Sequence, residues 1–181
     1  MSTLLSIDPG IRGVGVALWA EGKLTAAAYV ANTLKDGSGP RECATAAQAV
    51  IDWHFKSGKA SPDMLAVEIP QIYQRGSGKT KGDPNNLLPV FGVDAALAAL
   101  LPNAHIMYGV PHEWKGGTQK PKTTSESYVI EGRVRLRLSD NELATIVWPN
   151  NVKHTWDVTD AIGIGLYHLR RFERRRVFAR E

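Results

Sequence analysis

Apolar and polar positions alternate with changing period along this chain, and each change of period marks an element. Ser2 to Asp8 is a short apolar run ending in Asp-Pro-Gly, the pattern of a strand running into a turn. Gly13 to Trp19 (GVGVALW) predicts a second strand, Glu21-Gly22 a tight turn and Leu24 to Val30 a third strand, together an antiparallel meander. After the polar, Gly-rich connection Asn32 to Pro40, alanine, valine and isoleucine recur at helical spacing from Arg41 to Phe55, with Gly58 beyond the end. Met64 to Ile69 (MLAVEI) predicts a short buried strand stopped by Pro70, and Gln71 to Asn86 a polar, basic, exposed loop. Leu87 to Leu101 predicts an apolar helix, His105 to Tyr108 one more strand, and Gly109 to Lys122 a loop. Capping-box patterns at Thr123/Glu126 and Ser139/Glu142 open a helix to about Leu138 and a shorter one after it. A long final helix is expected from about Trp156 to Phe178. Hairpin strands first and α/β alternation afterwards predict a mixed sheet flanked by helices, an α/β fold forming a single domain over residues 1–181.

Composition narrows the class. At 181 residues the chain can bury a core without staples, and its one cysteine, Cys43, excludes an internal disulfide framework and a cysteine-based zinc site. No run approaches the ~20 apolar residues of a membrane span, and Met1 to Asp8 lacks the pattern of a secretory signal, so no membrane association and a cytoplasmic location are expected. The net charge of +4 resides between Arg170 and Glu181, where six Arg meet two Glu; the remainder is neutral. The Arg170–Arg176 cluster suits phosphate contact, and equally suits the negative end of a helix dipole.

Four acids stand where burial makes a charge expensive. Asp8 ends an apolar strand, Glu68 lies inside MLAVEI, and Asp157 and Asp160 fall three residues apart on one face of the apolar final helix. Each has an ordinary structural role open to it: Asp8 as a turn former before Pro9-Gly10, Asp157 as a helix cap, Asp160 as a first-turn acid, Glu68 as a partner for an arginine. As a set drawn from strands and a helix they point elsewhere. Unpaired buried carboxylates cost several kcal/mol each, and two hard divalent cations would reconcile all four while activating water for phosphodiester hydrolysis.

The segments carrying these acids resemble one family. LLSIDPGIRGVGVALW is similar to the opening strand, Asp-Pro-Gly turn and second strand of the RuvC-type Holliday junction resolvases of bacteria and phages. MLAVEIPQIY resembles their second strand motif, and HTWDVTDAIGIGLYHL their final helix with its Asp-x-x-Asp. The resemblance implies a ribonuclease H-like five-stranded mixed sheet, with Asp8, Glu68, Asp157 and Asp160 as catalytic ligands of two Mg2+ ions, which Mn2+ can replace. It also implies a homodimer that nicks a four-way DNA junction symmetrically on two strands, leaving 5′-phosphate and 3′-hydroxyl ends. Where the family carries an aromatic residue close behind the glutamate, this chain reads Glu68-Ile69-Pro70-Gln71-Ile72-Tyr73, which displaces the aromatic to Tyr73. Gly163 and Gly165, costly inside a helix at about 1 kcal/mol each, suit a close approach of this helix to the Asp8 strand.

Further candidates surround the acids. His154, one turn before Asp157, is a candidate metal ligand. Tyr73, Arg75, Lys79 and Lys81 form a basic loop suited to DNA, with Tyr73 able to stack on an unpaired base. Gly76 to Thr80 fails as a phosphate-binding P-loop because Tyr73 stands where its first glycine is required. Lys115, Lys120 and Lys122 lie in the loop after the last strand, a region that contacts DNA near the scissile phosphate in the resembled family, while Trp114 reads as a core anchor or a stacking residue. Two alternatives to junction resolution stand: a structure-selective or ribonuclease H-type nuclease acting on flaps, three-way junctions or RNA/DNA hybrids, and an actin-like nucleotide-binding domain suggested by Asp8, Gly10, Gly13 and Gly15. The second needs two such domains around a nucleotide.

Overall fold

A computed structural model describes residues 2–34, 39–56, 58, 60–69, 73–74, 80–81, 84–115 and 132–172. Its first three strands are β1 (Thr3–Asp8), β2 (Gly13–Ala20) and β3 (Lys23–Ala31), paired antiparallel as the meander predicts. Glu21 and Gly22 both take positive φ (50° and 75°), the left-handed pair that a two-residue hairpin turn requires. Helix α1 (Pro40–Lys56) leads to β4 (Met64–Glu68), which runs parallel to β1. Helix α2 (Pro84–Leu100) leads to β7 (His105–Gly109), parallel to β4. The five-stranded sheet has the order β3-β2-β1-β4-β7, antiparallel on one side and parallel on the other.

Several elements depart from the pattern reading. The segment expected as an exposed loop contains a two-residue antiparallel ladder, β5 (Tyr73–Gln74) with β6 (Thr80–Lys81). Helix α2 begins earlier than its apolar run, at Pro84, because a proline at the first helical position gives up no hydrogen bond. The loop expected after β7 holds a short helix, α3 (Pro111–Lys115). Residues 132–135 are helical, and α4 (Asp140–Leu143) carries the expected capping box at Ser139 and Glu142. The final helix, α5 (Val152–His168), starts one turn before the expected Trp156, since Asn151 accepts a bond from the Lys153 N–H as its cap. Asp157 is therefore not the cap. The helix ends well before the expected Phe178: Arg170 adopts φ 55° and Arg171 turns back, donating to both carboxylate oxygens of Glu142.

Side-chain alternation across the sheet divides the core in two. Leu5 and Ile7 of β1, Val14 and Val16 of β2, and Leu65 and Val67 of β4 pack with α1 and α2. Leu4, Ala17, Trp19 and Ala66 take the other face and pack with Val158, Ala161, Ile162 and Leu166 of α5. Each such buried aliphatic side chain contributes about 1.5–3 kcal/mol, which offsets the cost of carrying acids at the strand ends. Asp8 and Glu68 have the parity of Leu4 and Ala66, so the period of two directs both toward α5.

Candidate active site

Asp8 closes β1 and Glu68 closes β4. These strands are parallel neighbours paired at Ile7 and Val67, so the two acids follow directly at adjacent strand ends. Helix α5 supplies Asp157 and Asp160, and the sheet lets it come close. Gly15, opposite Asp8 on β2, faces the α5 backbone so tightly that a Cβ there would lie 1.9 Å from the Asp157 carbonyl oxygen. One turn further along, the same helix is fixed to β1 by a buried bond: Ser6 Oγ donates to the Ala161 carbonyl at 2.8 Å and accepts from Trp19 Nε1 at 2.9 Å. Gly165 leaves room for that Trp19–Ser6 pair. Gly163 serves a different neighbour from the expected strand, because a Cβ on it would overlap the Trp114 ring of α3.

The charges of these acids act on one another. Burial pushes the Asp8 carboxyl well above the usual range, and the charges of Asp160, Glu68 and, least, Asp157 add to the rise while Lys115 opposes it. Glu68 is raised by burial and by Asp160, against the lowering effects of Lys115 and of a bond from Trp114. Asp157 is raised by burial, with a bond and the charge of His154 working against the shift.

Lys115 enters the middle of this cluster. Its Nζ donates to Asp160 Oδ2 at 2.6 Å and lies 3.5 Å from Glu68 Oε2. Burial disfavours its charge, but the carboxylates of Asp160, Glu68 and Asp8 outweigh that and raise its pKa. The neighbouring Trp114 is a core residue, 4% exposed, and also a positioning one, since its Nε1 donates to the same Glu68 oxygen at 3.0 Å. The role of this tryptophan toward Glu68 had no signal in the sequence. At the other end of the site, His154 Nδ1 lies 3.3 Å from Asp157 Oδ2, and its ring stacks on Tyr29 with centroids 3.8 Å apart. Tyr29, in the middle of an unremarkable strand, also escaped the sequence reading.

The remaining candidates are distributed as follows. Tyr73 and Lys81 are cross-strand partners in the β5–β6 ladder. Arg75, Lys79, Lys120 and Lys122 lie outside the described residues. Within the Arg170–Arg176 cluster, Arg171 is committed to structure: besides Glu142 it donates to the carbonyls of Gly22 and Arg137, and its guanidinium faces the Trp19 ring. Among the described residues, no three His, Cys, Asp or Glu side chains already stand as a metal-ligand set. The chemistry of the donors nevertheless fits hard divalent cations: these are carboxylate oxygens, and one ammonium offsets only part of their charge, leaving repulsion that adds to the effect of burial on Asp8.

In sequence, no family model and no curated protein matches the chain. In structure, the chain is similar to Thermus thermophilus RuvC in complex with Holliday junction substrate, with TM-score 0.57 and 17% identity over 96% of both chains. A second structure of T. thermophilus RuvC gives TM-score 0.53 and 18% identity over 97% of this chain and 96% of that one. A yeast mitochondrial Holliday junction resolvase, Ydc2, covers 98% of this chain at 16% identity and TM-score 0.49. The sheet order, the element sequence and the likeness over nearly the whole length agree: the chain has the ribonuclease H-like fold of RuvC.

Proposed function

We propose that this chain is a divalent-metal-dependent endonuclease that resolves four-way DNA junctions by paired phosphodiester hydrolysis, acting as one nuclease domain per protomer. The observation that carries the reading is that Asp8 and Glu68 stand at adjacent strand ends, and that the charges of Asp160, Glu68 and Asp157 act on Asp8. Its support from outside the chain is the fold shared with RuvC, a protein solved with a Holliday junction substrate.

In this reading Asp8, Glu68, Asp157 and Asp160 would hold two Mg2+ or Mn2+ ions, with His154 beside Asp157. Bound there, the ions would activate the attacking water and stabilise the leaving oxygen. The protein's own groups do the rest. Trp114 donates to Glu68, Ser6 ties α5 to β1, Gly15 leaves room for that approach, and burial of Glu68 and Lys115 strengthens the charge interaction between them. Tyr73 and Lys81 are suited to the unpaired bases and phosphates of a branch point, with Arg75, Lys79, Lys120 and Lys122 as further phosphate contacts.

Symmetric cuts on two strands need two copies of the site, and a two-fold homodimer supplies them. Helix α2 offers a surface for it. Leu88 (65% exposed), Phe91 (45% exposed), Ala95 and Ala99 form a stripe at i, i+3, i+7 and i+11 on a helix whose other side is already core.

The test is cleavage of a labelled four-way junction in Mg2+, with duplex, flap, three-way junction and RNA/DNA hybrid alongside. Paired symmetric nicks on the junction are expected. Cutting without junction preference would retain the nuclease and discard the resolvase. No cutting in either Mg2+ or Mn2+ would overturn the reading.

A further inference from the structure

Lysine is among the residues least often buried, and when buried it is paired. Lys115 is 5% exposed, and its side chain is aimed inward by three attachments of α3. Trp114 is seated against Gly163 of α5, the Lys115 carbonyl accepts from Arg133 Nη1 at 3.0 Å, and the Val110 N–H donates to Glu113 Oε2 at 3.0 Å. The ammonium also lies 4.6 Å from the centre of the Trp114 ring. This is a built position. A surface lysine that merely folded over the acids would have none of these supports.

The oxygens it occupies matter. Asp160 Oδ2, at 2.6 Å, and Glu68 Oε2, at 3.5 Å, belong to two of the four acids proposed to hold metal. A hard divalent ion needs its ligand oxygens at about 2.0–2.1 Å for Mg2+. An ammonium on the same oxygens would then stand within a few ångströms of a doubly charged ion. Two cations on those oxygens repel each other strongly, which favours displacement of one by the other.

We propose that Lys115 is the resident cation of this site: it holds Glu68 and Asp160 together in the metal-free protein and is displaced from them when a divalent ion binds. The inference rests on reading these acids as metal-holding. It makes metal loading and release of the lysine a single coupled exchange, in which each opposes the other by the same factor.

Two measurements test it. The first is calorimetric titration of Mn2+ into the wild type and Lys115→Met, with metal-free melting curves of both. The variant should melt lower without metal, because Glu68 and Asp160 lose their counter-charge, and should bind Mn2+ about tenfold more tightly, because nothing must be displaced. The second needs no variant: Lys115 of the wild type is labelled with an amine-reactive reagent, read by mass spectrometry, with and without saturating Mg2+. Protection without metal and labelling with it are expected.

Protection that persists in saturating Mg2+, or equal Mn2+ affinity of the two proteins, overturns the exchange and leaves the nuclease reading standing. Failure of both proteins to bind Mn2+ at all overturns the exchange together with the metal-dependent reading. If Lys115→Met does not fold, the labelling of the wild type decides.

Discussion

Single residues in this protein carry charges that the fold opposes, and their removal has a predictable sign. Asp8 is opposed by burial and by Asp160 and Glu68. Asp8→Asn should abolish junction cleavage while junction binding, read by gel shift, is retained. The same variant should melt higher than the wild type without metal; wild-type cleavage rates would refute the role assigned to Asp8. Asp94 presents a second case, away from the acids. It is buried on α2, its Oδ1 has no hydrogen-bond partner among the described residues, and burial raises its pKa to about 7. A carboxyl raised in the folded state binds its proton more tightly there than in the unfolded chain. Its charge is therefore harmless below the ordinary carboxylate range, and stability falls as pH rises from there to about 7. The full cost above that pH is on the order of 4 kcal/mol. Asp94→Asn should thus be more stable than the wild type at pH 8 and gain nothing at pH 4, by urea denaturation. An equal difference at both pH values would show that Asp94 does not titrate this way.

At the scale of elements, the site depends on how near α5 lies to the sheet. A methyl group on Gly15 would meet the Asp157 backbone carbonyl, which cannot rotate aside as a side chain would. Gly15→Ala should therefore shift α5, cost about 1–3 kcal/mol of stability and lower single-turnover cleavage at a temperature where the variant remains folded. Unchanged cleavage with a wild-type melting temperature would mean that the approach is not required. The other end of α5 is held differently. Arg171 links it to Glu142 of α4 and to the β2–β3 turn, and Glu142 also accepts from the Leu24 N–H of β3. Burial opposes the Glu142 charge, but the bonds from Arg171, Ser139 and Leu24 prevail and hold its pKa down to about 2. The capping-box pattern announced Glu142 as a cap and gave no sign of this second role, because its partners Leu24 and Arg171 are distant in sequence.

At the scale of the molecule, the exposed stripe of α2 bears on the proposed homodimer. Leu88→Glu with Phe91→Glu should convert a dimer to a monomer in sedimentation equilibrium, and should replace paired cuts of a four-way junction by uncoupled single nicks or none. A variant that sediments as the wild type and still cuts in pairs would remove α2 as the dimer surface. No described helix is long and apolar enough to cross a membrane. Strand order over the sheet puts β1 in the middle, between an antiparallel half and a parallel half. That is why the end of β1 is the place where acids from β4 and α5 can be gathered around Asp8.

The sequence by itself determined the main strands and helices, and which acids interrupt the apolar runs. The meander follows from a period of two and a Glu-Gly turn, the strand-end acids from charges inside apolar runs, and Asp157 with Asp160 from a spacing of three on a helix. All of these are short-range physics, legible in neighbouring residues. Only the tertiary structure decided what the acids face. Lys115 lies 45 residues from the aspartate it pairs with, in a stretch that reads as a loop, on a short helix whose Trp114 packs against Gly163. Tyr29, Gly15 and Ser6 likewise acquire their roles from α5, which reaches them across the sheet. Ion pairs and close backbone approaches join residues remote in the chain, and no periodicity encodes them; they are set when the sheet and its last helix pack.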